Sequence, residues 1–196
     1  GELVKQAFGP WMLTAFGVTP RREGATVTIA GGARLSAAAL SIPGDLSSAA
    51  FFAAAAAVPG GGGVCVRDVG VNPTRTGILE VLEAMGARVR RNRARVEAGE
   101  PVADLTVSGV RLRGVEIGAE LIPRLVDEVP VLAVIAALAD GETTITGAGE
   151  LRVKEVDRLA AVAEELGRLG ATVAVTADSL RVHGGARLRG AVVSSR

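Results

Sequence analysis

Leu82-Glu83-Ala84-Met85-Gly86-Ala87-Arg88-Val89 returns farther along the chain as Leu166-Gly167-Arg168-Leu169-Gly170-Ala171-Thr172-Val173. The shared pattern L-x-x-x-G-A-x-V joins the end of an apolar helix, a glycine suited to the left-handed turn that stops it, and the start of an alternating strand. Outward from this pattern, the first copy holds Asp45-Leu46, a helical stretch at 48–58, the turn Pro59-Gly60, the strand Val64-Cys65-Val66 and Asn72-Pro73-Thr74-Arg75. The second holds Asp127-Glu128, a helical stretch at 130–139, the turn Asp140-Gly141, a strand at 143–146 and a polar segment at 154–158. The same order recurs at a spacing of about 80 residues, longer than the roughly 20–50 residues of solenoid repeats, so a whole folded unit is duplicated.

Each copy reads as a βαβαββ unit, which makes the fold class α/β (α+β) with repeated units. Alternation places strands at 26–30, 64–67, 105–107, 112–117, 143–146, 173–175 and 180–182. In the last helix Val156, Leu159, Ala160, Ala163, Leu166 and Gly170 form one stripe, with Gly170 as the C-terminal stop. Asn72 followed by Pro73 has the order of a helix cap and first turn. Residues 1–40 fit neither copy and read as the tail of a preceding domain, with a short helix near 11–16. Residues 41–108 are the first unit, and 109–196 the second unit and the start of a truncated third.

Of the 196 residues 48% are hydrophobic, but Tyr is absent and there are only four Phe and one Trp, so the core is built from closely packed small side chains. Nucleic-acid binding by base stacking is not expected, because it needs exposed rings. A formal net charge of +1 leaves no field for a polyanion or an anionic membrane, so any anion chemistry is local. The single cysteine, Cys65, permits no internal disulfide and no Cys-built zinc site, and it fits a reducing compartment. On its strand Cys65 reads as a small core residue. The longest apolar runs, 49–58 and 131–139, fall short of the roughly 20 residues of a membrane span, and no targeting pattern opens the chain. A cytoplasmic, soluble protein is expected.

The segment Arg152-Val153-Lys154-Glu155-Val156-Asp157-Arg158-Leu159 carries the chemistry. On a continuous helix Lys154 and Arg158 lie within about 40° of each other, opposite the apolar stripe. Both then occupy the first turn, where the helix dipole disfavours cations, and a bound anion converts that penalty into a site. The bland alternative is an exposed Glu155–Arg158 pair. Asp127-Glu128, at the entrance of an apolar helix, suits the dipole; a carboxylate there, close to the cations, also suits a base or a hydroxyl-orienting group. Asp45, its counterpart in the first copy, reads as a helix cap. Gly60-Gly61-Gly62-Gly63 follows a helix and lacks Gly-Lys-Ser/Thr, so it is a turn and not a phosphate loop; His183 has no neighbouring ligand for a metal.

Ser41-Ile42-Pro43-Gly44-Asp45-Leu46-Ser47-Ser48-Ala49-Ala50-Phe51, Asn72-Pro73-Thr74-Arg75-Thr76-Gly77, the Asp127-Glu128 helix and the 151–159 segment together resemble the 5-enolpyruvylshikimate-3-phosphate (EPSP) synthase family. The resemblance runs in order from about Met12 to Gly184. It implies two globular domains of three βαβαββ units each, of the inside-out barrel type, usually in a monomer, with the active site between them and one interdomain crossover near Ser41 to Asp45. It implies transfer of the enolpyruvyl (carboxyvinyl) group of phosphoenolpyruvate to the 5-hydroxyl of 3-phosphoshikimate, with phosphate released and no cofactor or metal. Asp127 is implied as the residue on the shikimate hydroxyls and the base for the 5-hydroxyl. Lys154 is implied on the oxygens of 3-phosphoshikimate, Glu155 as proton shuttle to the methylene carbon, and Arg158 on phosphoenolpyruvate.

The family's N-terminal Lys-Ser-x-x-x-Arg, Gly-Asn-Ala-Gly, Ser-Ala-Gln and C-terminal Asp-His-Arg segments have no counterpart here, and residues 1–11 diverge from what precedes Met12-Leu13. The chain therefore reads as an internal fragment, inactive by itself. The rival readings are a UDP-sugar enolpyruvyl transferase relative, against which the 152–158 string argues, and a non-catalytic binding module of the same fold.

Overall fold

In the computed structural model, which describes residues 13–194 apart from 25, 59, 61 and 110, four helices are named: α1 (Leu46–Ala57), α2 (Gly77–Met85), α3 (Val129–Leu138) and α4 (Arg158–Arg168). The two recurring segments share one geometry. Gly86 follows α2 at φ +106° and Gly170 follows α4 at φ +98°. In each, the N–H of the next alanine reaches back to the recurring leucine: Ala87 to the Leu82 carbonyl and Ala171 to the Leu166 carbonyl, both at 2.9 Å. The left-handed glycine thus ends the helix and aims the chain into a strand.

The strands repeat with the same topology. A short hairpin, β1 (Arg21–Glu23) with β2 (Thr26–Thr28), precedes the units. The first unit contains β3 (Gly63–Gly70), β4 (Arg88–Glu97) and β5 (Glu100–Ser108), in the order β3-β5-β4, with Gly44 bridging in parallel to Val69 of β3. The second contains β6 (Glu116–Ile117), β7 (Glu142–Ile145), β8 (Thr172–Val175) and β9 (Leu180–His183), in the order β6-β7-β9-β8, with β6 parallel to β7. Counting Gly44 as a vestigial first strand, both sheets run first, second, fourth, third. That is the βαβαββ unit twice.

Helices α1 and α3 pack on one another at the centre. Ala49, Ala50, Ala53, Ala54, Ala56 and Ala57 of α1 are buried, as are Val129, Leu132, Ala133, Ile135, Ala136 and Ala137 of α3. Small side chains allow this close approach, and one continuous cluster of buried residues runs from Leu46 to Val182 through both copies. The aromatic-poor composition has its reason here.

Several expectations need correction. The strand expected at 26–30 ends at Thr28, and of 112–117 only Glu116–Ile117 is a strand, Arg113 making one bridge to Asp140. Of strand β4 only the start, at Arg88-Val89, was expected, because five arginines in Arg88–Glu97 mask the rest of its alternation; as a sheet edge it tolerates them. Cys65 is exposed, with Val64 and Val66 turned to the core instead. Asn72 does not start α2: its carboxamide oxygen accepts from the Thr74 N–H (3.0 Å) in a local turn, and Thr76 precedes the helix. The buried face of α4 is Leu159, Val162, Ala163 and Leu166, while Ala160 is exposed and Val156 and Gly170 fall outside the helix. The helix expected near 11–16 is helical at 13–15, and residues 11 and 12 lie outside the described residues.

Gly86→Ala and Gly170→Ala should each cost about 1 kcal/mol, because alanine resists positive φ. Leu82→Ala should cost about 3 kcal/mol as a fully buried truncation. Urea midpoints of the three variants measure both.

Candidate functional site

The 152–158 segment is not one helix. A 3-10 turn, Gly149–Val153, ends at Lys154 in extended backbone (φ −77°, ψ −167°), and α4 begins only at Arg158. Asp157 caps α4, its carboxylate accepting from the Ala160 N–H at 3.0 Å and pairing with Arg152 at 2.5 Å. The cap wins over continued helix because an Asp side chain bonded to the first-turn amides favours extended backbone at its own position. Lys154 and Glu155 therefore sit on an arch, and the expected 40° relation between Lys154 and Arg158 does not exist.

The arch nevertheless brings the expected residues together. Arg158 reaches Asp127 at 3.3 Å, 31 residues away in sequence, and Glu155 at 3.0 Å. Lys154, with its side chain 18% exposed, pairs with Glu150 at 3.2 Å. Glu155 stands out at 78% exposure. Its carboxyl is held below the ordinary value first by its own backbone N–H and then by the Arg158 guanidinium. Asp127 lies in the turn Val126–Glu128 that leads into α3. Two cations and three carboxylates thus share one surface, each cation already matched by an acid.

A second polar group lies beside it. Glu128 is buried, and burial pushes its carboxyl above the ordinary value, while a hydrogen bond from Ser47 and the charge of Arg75 pull the other way. Arg75 donates to the Ser47 hydroxyl at 2.8 Å and lies 3.4 Å from Asp45. Asp45 caps α1, accepting from the Ser48 N–H at 2.8 Å; partial burial raises its proton affinity, but the Ser48 bonds and Arg75 outweigh it and leave the carboxyl below its ordinary value. The cap reading of Asp45 holds in the structure.

Glu150, Arg152, Ser47 and Arg75 were not singled out from sequence. The i,i+4 spacing of Glu150 and Lys154 was a usable signal; the contact of Glu128 with Ser47 across 81 residues was not. His183 lies 3.2 Å from Glu142 at a strand end. Among the described residues no cluster of three or more His, Cys, Asp and Glu could hold a metal ion, and no helix is long and apolar enough to cross a membrane.

A family model described as EPSP synthase (3-phosphoshikimate 1-carboxyvinyltransferase) matches residues 10–196. The 3-phosphoshikimate 1-carboxyvinyltransferase of Desulforudis audaxviator is 54% identical over 184 residues, covering 94% of this chain and 43% of that protein. The relative from Synechococcus elongatus is 52% identical over 186 residues, with 94% and 42% covered. The solved EPSP synthase of Acinetobacter baumannii superposes with a TM-score of 0.86 at 40% identity, over 90% of this chain and 40% of that one. The chain spans less than half the length of each of them.

Asp45→Ala should lower stability by about 1 kcal/mol, whereas Asn in its place retains the cap. Because the folded Asp45 carboxyl lies below its ordinary value of 3.8, its contribution is present above that pH and is lost as pH falls through the folded value. Acid unfolding of Asp45→Asn should therefore lose this part of the pH dependence.

Proposed function

The chain belongs to the EPSP synthase family, and from that membership we propose that it forms one wall of a site that transfers the enolpyruvyl group of phosphoenolpyruvate to the 5-hydroxyl of 3-phosphoshikimate. The observation that carries the reading is Arg158, whose single guanidinium spans Asp127 and Glu155, the two residues suited to move protons, beside Lys154. Two anionic substrates must meet in this reaction, and fixed cations offset their repulsion and hold the reacting atoms together.

The residues divide the work by position. Asp127 takes the proton of the 5-hydroxyl as its oxygen attacks the substituted carbon of phosphoenolpyruvate. Glu155, protonated, delivers a proton to the methylene carbon and completes a tetrahedral adduct. The carbon–oxygen bond to phosphate then breaks, phosphate leaves with the proton that Asp127 took up, and Glu155 takes a methyl proton back as the double bond reforms. Lys154 lies on the oxygens of 3-phosphoshikimate and Arg158 on phosphoenolpyruvate. At rest Arg158 pairs with Glu155 at 3.0 Å, and an anion that draws Arg158 away frees that carboxylate to turn toward the substrate.

The unit boundaries 41–108 and 109–196, with 1–40 from a neighbouring domain, go with this reading. So do a cytoplasmic monomer and the lack of a nucleic-acid partner, supported by the net charge of +1. The opposite wall of the cleft comes from segments that this chain does not contain.

Titration calorimetry tests the site. Lys154→Ala should weaken binding of 3-phosphoshikimate, and Arg158→Ala that of phosphoenolpyruvate, each by about 2 kcal/mol or roughly thirtyfold. Unchanged affinities in both variants would remove the assignment. With both substrates present, the chain alone should release no phosphate; turnover at an ordinary rate of about 1–10³ per second would show that the opposite wall is dispensable.

A further inference from the structure

Arg152 and Asp157 belong to the string that marks the segment, yet neither has a part in the chemistry just described. Arg152 uses its whole donor fork. Its Nε donates to the Ala177 carbonyl at 2.8 Å, one terminal nitrogen to the Thr176 carbonyl, and the other to Asp157 at 2.5 Å. Thr176 and Ala177 lie in the turn between β8 and β9. That turn is closed independently, by the Thr176 N–H to the Ser179 carbonyl at 3.0 Å and the Ser179 N–H to the Thr176 hydroxyl at 3.2 Å. The same turn also receives the Ala148 N–H on the Asp178 carbonyl at 2.7 Å. On the near side Leu151 is fully buried, and on the far side Asp157 is bonded into the first turn of α4.

The four residues between Arg152 and Asp157 are held less firmly. Val153 ends the 3-10 turn and is 81% exposed, and Lys154 and Glu155 are in extended or irregular backbone, their side chains held among the described residues by ion pairs and, for Glu155, by its own N–H. An arch of this kind is defined by its two feet.

We propose that Arg152 is a positioning residue: through Asp157 and the β8–β9 turn it closes the base of the 153–156 arch and so sets where Lys154 and Glu155 stand relative to Arg158 and Asp127. Only a guanidinium serves, because three acceptors in different directions need a planar fork, and an ammonium on a flexible stem cannot face all three at once. Asp157 has two roles that can be separated. Its cap needs an oxygen acceptor, which Asn supplies equally, while its hold on Arg152 needs the charge. The inference rests on the functional reading only for the ligand it concerns.

The test uses Arg152→Lys and Asp157→Asn in this chain, with two readouts. Amide hydrogen exchange followed by mass spectrometry should show faster exchange at 153–158 in both variants, while α3 and the β7–β9 sheet stay as protected as before. Calorimetric titration should show 3-phosphoshikimate binding weakened about tenfold in both, the scale expected when a binding group is displaced without being removed. Unchanged exchange at 153–158 overturns the proposal, and so does a loss of protection spread through the second unit, which marks a merely structural role. Faster local exchange with undiminished affinity overturns it as well. If the unaltered chain binds no 3-phosphoshikimate, the functional reading fails by itself, and the exchange result still decides whether Arg152 holds the arch.

Discussion

The contact between α1 and α3 is the constraint from which the rest follows. Each helix is strongly apolar and buries part of its surface against the other, the counterpart in a duplicated unit, while Phe51 and Phe52 of α1 and Val134 and Leu138 of α3 stay exposed. Alanines at the contact shorten the distance between the axes. Since the two helices are equivalent elements of two copies, packing them together also brings together the residues at their N-terminal ends. Ser47 at one end meets Glu128 at the other, with Asp127 next to Glu128 and Asp45 joined to Ser47 through Arg75. The polar surface is thus a product of apolar packing.

At that surface the charges are balanced before any ligand arrives. Lys154 is matched by Glu150, Arg158 by Asp127 and Glu155, and Arg75 by Asp45. Most of these pairs are partly solvated, so each adds little to stability and is readily exchanged. An anion that displaces a carboxylate partner leaves no cation uncompensated.

The legible part of the fold was the part written in local rules. Gly86 and Gly170 could be read as helix stops because only glycine takes that turn readily, and their leucines could be read as buried because the pattern recurs. Cys65 was misread because alternation identifies two faces without saying which is wet, and Val64 and Val66 took the inner one. Beyond its start at Arg88-Val89, strand β4 was hidden because its arginines look like a solvated face, which at a sheet edge is compatible with a strand. The identity of Asp127, Lys154, Glu155 and Arg158 as a set came from the resemblance of their segment to a known family, and the geometry first inferred for them came from a helix that is absent.

The sequence by itself determined the duplicated unit, its α/β class, the family and the residue types of the site, since composition, period and motif are local properties of a chain. Tertiary structure decided which of those residues meet. Asp157 ended the possible helix because its carboxylate found both the Ala160 amide and Arg152, and that arrangement depends on where the β8–β9 turn lies. The meeting of Arg158 with Asp127, and of Glu128 with Ser47, likewise depends on how two copies pack. Such contacts join positions with no fixed spacing in the chain, and only the burial of the helices between them sets their distance.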